Sequence, residues 1–222
     1  MKNRTLKILT ILSFVCLAFS ILLSLFLTLF FGDENFSIFF NAVSGLGRNY
    51  YSPFPLLFDL GLILSGLLNF PFIFFFKKYL FEVEEEHIEN EKRNLFKILS
   101  SLTFISVLSG NISLIGAGIF SLDRNIFYLH YIFALLLFSG YLFFAFFLGL
   151  LYLIYDLYIR KYLIIFGYGF LCSFFVLMYM AAGPFNKISL LFEWIIISVM
   201  FSWYYLFSLK LVDNYDKITK KD

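Results

Sequence analysis

Apolar residues run along the chain in six long blocks, at 6–31, 54–76, 95–120, 130–155, 162–182 and 189–212. Each block is apolar all round, without the one-sided pattern of a helix that lies half in water. A helix rises 1.5 Å per residue, so about 20 apolar residues cross the roughly 30 Å of a bilayer's hydrocarbon. Every block reaches that length. In hydrocarbon each backbone N–H and C=O must find its partner inside its own segment, so runs this long predict helices. The many β-branched and aromatic residues, which favour strands in water, are overridden. The pattern predicts an all-α polytopic membrane protein: one six-transmembrane-helix bundle spanning 1–222.

Composition narrows the class further. Of 222 residues, 61% are hydrophobic and 14% charged, against about 45–50% and about 25% in soluble domains. That excludes a soluble enzyme, a disulfide-knitted secreted domain and a disordered tail, and it leaves little surface for nucleic acid. The first block follows Lys2, Arg4 and Lys7, as a signal peptide would, but it far exceeds the 7–15 apolar residues of a signal core. Val15 precedes Cys16, where lipoprotein processing wants a small residue, so the block reads as an uncleaved anchor. With the N-terminus placed inside, 14 of the 17 basic residues fall on the inner side, and Arg48, Arg124 and Lys187 fall outside. Such a bias predicts insertion in the plasma membrane with both termini cytoplasmic.

The connections are short except for two. The outer loop 32–53 carries Gly32, Gly45, Gly47 and Pro53 and is expected to form ordered turns over the bundle. The inner segment 82–94 is rich in acid around His87; it is read as a solvated helical extension in which Glu89 pairs with Arg93. Ser106, Gly110, Ser113 and Ala117 make a small-residue row on the third span, which lets a neighbouring helix approach closely. That neighbour is either another span of the bundle or a second protein, through a homo-oligomer or membrane-complex seam. Gly61 with Ser65 and Ala145 with Gly149 repeat the theme, and Pro71 is expected to kink the second span. No internal repeat supports an inverted-repeat transporter. Cys16 and Cys172 both lie within spans and read as small fillers.

Candidate chemistry is sparse. The two histidines fall on opposite sides of the membrane, so no paired-histidine metal site is expected, and no cofactor motif is present. Polar residues nevertheless gather in the outer half: Asp59, Asn111, Asp123, His130 and Glu193, with Arg48 and Arg124 in the outer loops. Ionisable residues within a span cost about 2.5–3.5 kcal/mol each on insertion and usually face the bundle interior. A carboxyl there needs a cationic partner, and Arg48, Arg124 and His130 are within reach in sequence terms. Three readings stay open. The cluster binds a lipid headgroup or other small polar ligand; or His130, with Asp59 or Glu193, catalyses a lipid hydrolysis or acyl transfer; or the chain is an accessory subunit of a larger membrane complex. A purely structural role, with the acids bonded to outer-loop amides, stands beside them. Tyr50, Tyr51, Tyr128, Tyr131, Trp203, Tyr204 and Tyr205 are read as aromatic interface anchors, and Asn35-Phe36-Ser37 is a glycosylation sequon on the outer side.

Two stretches carry a resemblance. The first is Val43-Ser44-Gly45-Leu46-Gly47, then Ser52-Pro53 and Phe58-Asp59-Leu60-Gly61-Leu62 with Gly66. The second is Gly118-Ile119-Phe120-Ser121-Leu122-Asp123, followed by His130, Ala134 and Phe138. Together they resemble the domain-of-unknown-function 998 family, grouped with Frag/DRAM-like six-span membrane proteins and with many archaeal members. The resemblance implies a six-helix bundle acting at or near membrane lipids, and it transfers no catalytic residue. The chain departs from the family in carrying Gly45 where members often have an acid and Asp59 where they often have Asn.

Overall fold

In the computed structural model, described for the backbone of residues 3–155, 157, 159–183 and 186–218, six long helices follow one another. The side chains at 86, 87, 181, 182, 186–189 and 216–218 lie outside the described part. The helices are α1 (Asn3–Phe31), α2 (Pro55–His87), α3 (Asn90–Ile119), α4 (Leu129–Tyr155), α5 (Lys161–Ala182) and α6 (Asn186–Ile218). All six are long and apolar enough to cross a membrane, and the chain is a multi-pass membrane protein. The predicted blocks sit inside these helices, except that Phe54 and Phe120 stand just outside as the caps of α2 and α3. α2 and α3 extend past their blocks as charged turns, because 82–94 continues both helices and breaks only at Ile88–Glu89, and α6 runs on to Ile218.

Each helix packs on its neighbours in sequence, and α1 closes against α6. Lys7 Nζ donates to Asp213 Oδ1 at 2.7 Å, tying the start of α1 to the end of α6. The start of α1 and the end of α6 therefore lie at one end of the bundle, called here the terminal end, and loops 32–54 and 120–128 lie at the distal end. The side chains of Lys2, Lys187, Lys217, Lys220, Lys221 and His87, on which the sequence reading also drew, lie outside the described residues.

The helices pack through size rather than through hydrophobicity. The buried face of α1 is Leu6, Thr10, Ser13, Leu17, Ser20, Ser24 and Thr28, while Ile8, Leu12, Val15, Phe19, Leu22 and Phe26 face outward. In lipid this inversion is favourable: large apolar chains meet acyl chains, and small hydroxyl residues let backbones approach. A methyl on Gly61 of α2 would fall 1.9 Å from Ser20 Oγ. The small row on α3 makes its close approach within the chain, where Gly110 meets Gly140 of α4 so closely that a Cβ on Gly140 would lie 2.5 Å from the Gly110 nitrogen. α2 runs unbroken through Pro71, which has no N–H for the carbonyl four residues earlier.

Three expectations are corrected. Glu89 pairs with Lys92 at 3.3 Å, not with Arg93, which turns to Glu84 at 4.0 Å. Glu89 is the non-helical N-cap of α3 and not a residue within a helix, so the four-residue helical spacing to Arg93 does not apply. Trp203, Tyr204 and Tyr205 are not interface anchors; they are 0–2% exposed in the bundle centre. Ten to twelve residues beyond Glu193, they sit about 15–18 Å down α6. Their polar tips are satisfied there. Trp203 Nε1 donates to Leu163 O at 2.7 Å, Asn69 Nδ2 donates to Tyr204 Oη at 2.7 Å, and the Tyr205 hydroxyl bonds to those of Ser13 and Ser65. The third correction concerns Asn111, which belongs to this central layer rather than to the distal cluster. Its Nδ2 donates to Gly66 O at 3.0 Å and its Oδ1 accepts from Asn69 Nδ2 at 2.9 Å. Tyr50, Tyr128 and Tyr131 are exposed, whereas Tyr51 is half-buried against Phe36 and Tyr50.

Candidate functional site at the distal end

α3 ends at Ile119, leaving its last carbonyls without intrahelical partners. Two of the expected site residues meet that need. Arg124 donates from Nη2 to Gly118 O and from Nε to Ile119 O, both at 3.1 Å. His130 donates from Nδ1 to Phe120 O at 2.8 Å. This bond fixes the imidazole's orientation. At the start of α4, the His130 N–H donates to Asn125 Oδ1 at 3.0 Å. The turn before it holds Phe127 and Tyr128 at φ 50° and 61°, a left-handed conformation that costs a non-glycine residue about 1–2 kcal/mol.

Arg124 has a second role. Its Nη2 donates to Asp59 Oδ2 at 2.6 Å, and the Asp59 side chain is 3% exposed. This is the cationic partner that a carboxyl at such depth needs. Asp59 Oδ1 is buried without a hydrogen bond among the described residues; it abuts Gly47, where a Cβ would lie 2.5 Å away. Asp123 faces the other way. It accepts from the Asn49 N–H and lies 3.8 Å from Arg48 Nε, whose guanidinium rests 5.8 Å from the Tyr51 ring. Arg48 and Asp123 thus hold the 32–54 loop to the 120–128 loop at the surface. On the far side α6 grips the same loop: the Val43 N–H donates to Glu193 Oε1 at 3.3 Å, and Trp194 Nε1 donates to Asn41 O at 2.9 Å.

The expected cluster therefore separates into three parts. Asp59 pairs with Arg124, Arg48 pairs with Asp123, and His130 and Glu193 remain on one cavity. That cavity, about 70 Å³, is walled by Val43, Ser44, Phe58, Leu62, Ala117, Ala134, Leu137, Phe138 and Phe201. Glu193 Oε2 has no hydrogen-bond partner among the described residues. No hydrogen bond joins His130 to Asp59 or to Glu193 among these residues. The imidazole is oriented by the Phe120 carbonyl rather than by an acid. Nor do three His, Cys, Asp or Glu side chains come together as a metal would need, among the described residues.

Beside the cavity lies a second, wholly different space of about 190 Å³ between α1 and α6, lined by Phe14, Leu17, Ala18, Leu22, Ser198 and Ser202 among others. The two share Ile21, Val43, Ile197 and Phe201 as common walls. Leu22 at its rim is 65% exposed on the outer face of the bundle. Sequence reasoning found the two polar ends, Glu193 and His130, but not this cleft. Its walls are ordinary apolar residues, and only the packing of α1 against α6 leaves the gap. Comparison with known proteins adds no relative: no family profile, no curated protein and no solved structure matches the chain.

Proposed function

We propose that the protein binds an amphipathic, lipid-like molecule at its distal end. A small head bearing a hydroxyl or amine sits between Glu193 and His130, and its apolar part lies in the α1/α6 cleft. The observation that carries this reading is the shared wall between a small cavity with one uncommitted carboxylate oxygen and an apolar cleft whose rim reaches the lipid-facing surface. Binding sites commonly combine an apolar enclosure with a few placed polar groups, and a carboxylate with an open acceptor selects a donor. Val43, Ser44, Ala134 and Phe138, all from the stretches that resemble the domain-of-unknown-function 998 family, line the same cavity. That agrees with a role among membrane lipids, which is part of the proposal.

Orientation belongs to it as well. Lys7, Lys77, Lys78, Lys92, Arg93, Lys97, Arg160, Lys161 and Lys210 lie toward the terminal end, whereas Arg48 and Arg124 lie at the distal end. By the positive-inside rule the termini are cytoplasmic and the cavity is in the outer leaflet of the plasma membrane.

The test uses Glu193→Gln, which keeps an oxygen for the Val43 N–H but removes the charge, and Ala134→Phe, which fills the cavity. Wild-type protein purified in mild detergent is expected to carry a retained amphiphile detectable by native mass spectrometry. Both variants should lose it while melting within a few degrees of wild type. Identical bound species in all three proteins would overturn the reading.

A further inference from the structure

At the terminal end, α2 and α3 border a cleft of about 390 Å³ lined by Lys77, Glu84, Lys97, Ser101, Phe104 and Ile105 among others. Its charge is unbalanced. Glu84 is taken by Lys97 at 3.4 Å and Arg93 at 4.0 Å. Lys77 has no carboxylate partner among the described residues and rests with Nζ 4.9 Å from the Phe104 ring. Two lysines, Lys77 and Lys97, thus line the cleft with one acid, Glu84. Burial is not what holds Lys77 there, since the residue is exposed; its ammonium is poised over the mouth of the cleft with its charge unmet.

The depth is equally specific. Lys77 follows Asp59 by 18 residues, which places the two about 27 Å apart along α2. With Asp59 near one edge of a hydrocarbon layer roughly 30 Å thick, Lys77 stands near the other, from where its long side chain reaches toward the lipid phosphates. Just below it, toward the membrane centre, Phe74 and Ile105 are each 58% exposed, an apolar surface for acyl chains on the same side of the bundle. Ser101 is exposed beside Lys97 and offers a hydroxyl donor.

We infer that this cleft is a binding site for the phosphate of an anionic phospholipid, held by Lys77, Lys97 and Ser101 with its chains along Phe104 and Ile105. Basic pockets between spans bind acidic headgroups by attraction that adds up per lysine. Free phosphate offers the same charge but no chain, so the two sources can be told apart. The site is independent of the distal cavity: neither needs the other.

The full-length protein in a neutral detergent is titrated with short-chain phosphatidylglycerol, phosphatidylcholine of the same chain length, or inorganic phosphate, and binding is followed by thermal shift and native mass spectrometry. Phosphatidylglycerol alone is expected to bind and stabilise. Lys77→Gln, which breaks no ion pair, should weaken it about fivefold, and Lys77→Gln with Lys97→Gln more than tenfold. Ser101→Trp keeps every charge and should also abolish binding by blocking the cleft. Lys161→Gln with Lys210→Gln, elsewhere at the same end, should leave it unchanged. Equal stabilisation by inorganic phosphate or phosphatidylcholine, equal loss in the Lys161/Lys210 pair, or full binding by Ser101→Trp would each overturn the assignment.

Discussion

A hydrogen atom decides how α3 and α4 meet. Gly140 lies against the Gly110 backbone, and a Cβ there would come within 2.5 Å of one main-chain atom and 2.6 Å of the next. Backbone cannot step aside as a flexible side chain can, so Gly140→Ala is expected to cost about 1–3 kcal/mol. Gly169 of α5 is the opposite case, with nothing within 4 Å of the place a methyl would take; Gly169→Ala should be neutral or stabilise by about 0.5 kcal/mol through helix propensity. Melting of the two variants in detergent checks the contrast. At the same scale, Arg124→Ala would strand the Asp59 carboxylate, and the loss for a broken buried pair reaches about 3 kcal/mol. Asp59→Asn combined with Arg124→Ala should recover part of it. A double variant no more stable than Arg124→Ala alone would show that the loss comes from the Gly118 and Ile119 carbonyls left without Arg124, and not from a stranded Asp59 charge. Side-chain identity discloses the acids but not their partners. Asp59 and Arg124 are 65 positions apart, and nothing in the spacing links them more than Asp59 and Arg48. Trp203, Tyr204 and Tyr205 are hard to place from sequence for a related reason: aromatic residues are common both at interfaces and in cores, and only depth along α6 separates the two.

Among the elements, α1 shows best what hydropathy conceals. Its length and greasiness announce a span, yet its packing face is written in Ser and Thr at spacings of three and four, a signal that a count of apolar residues removes. Not all of these hydroxyls contribute alike. Ser13 bonds to Ser65 O at 2.8 Å and to the Tyr205 hydroxyl at 2.6 Å, so Ser13→Ala should destabilise by about 1 kcal/mol. Ser24 Oγ and Thr28 Oγ1 are buried without partners among the described residues, so Ser24→Ala and Thr28→Val should be neutral or stabilising. Equal losses in all three variants would contradict this division. The loops are legible in part. Gly- and Pro-rich composition points to ordered turns over the bundle, and Val43 and Leu46 are indeed buried beneath them. That Glu193 and Trp194 of α6 grip this loop depends on α6 standing beside α1, which no local pattern encodes.

For the molecule as a whole, two charged rims bound an uncharged middle. The rims on α2, Asp59 and Lys77, stand about 27 Å apart, close to the thickness a bilayer's hydrocarbon imposes. This spacing, rather than any single contact, sets where the distal cavity and the terminal-end cleft lie relative to lipid. Six spans are readable because lipid demands long apolar runs. The sites are not, since each is a gap between helices whose lining residues come from separate spans. The most direct measurement is the accessibility of single cysteines in living cells, in a chain with Cys16 and Cys172 replaced by alanine. Tyr50→Cys, on the distal loop, should react with a membrane-impermeant maleimide in intact cells. Glu85→Cys, at the terminal end, should react only after permeabilisation. Reaction of both from the same side, or of Glu85→Cys alone from outside, would contradict the placement of the distal cavity in the outer leaflet.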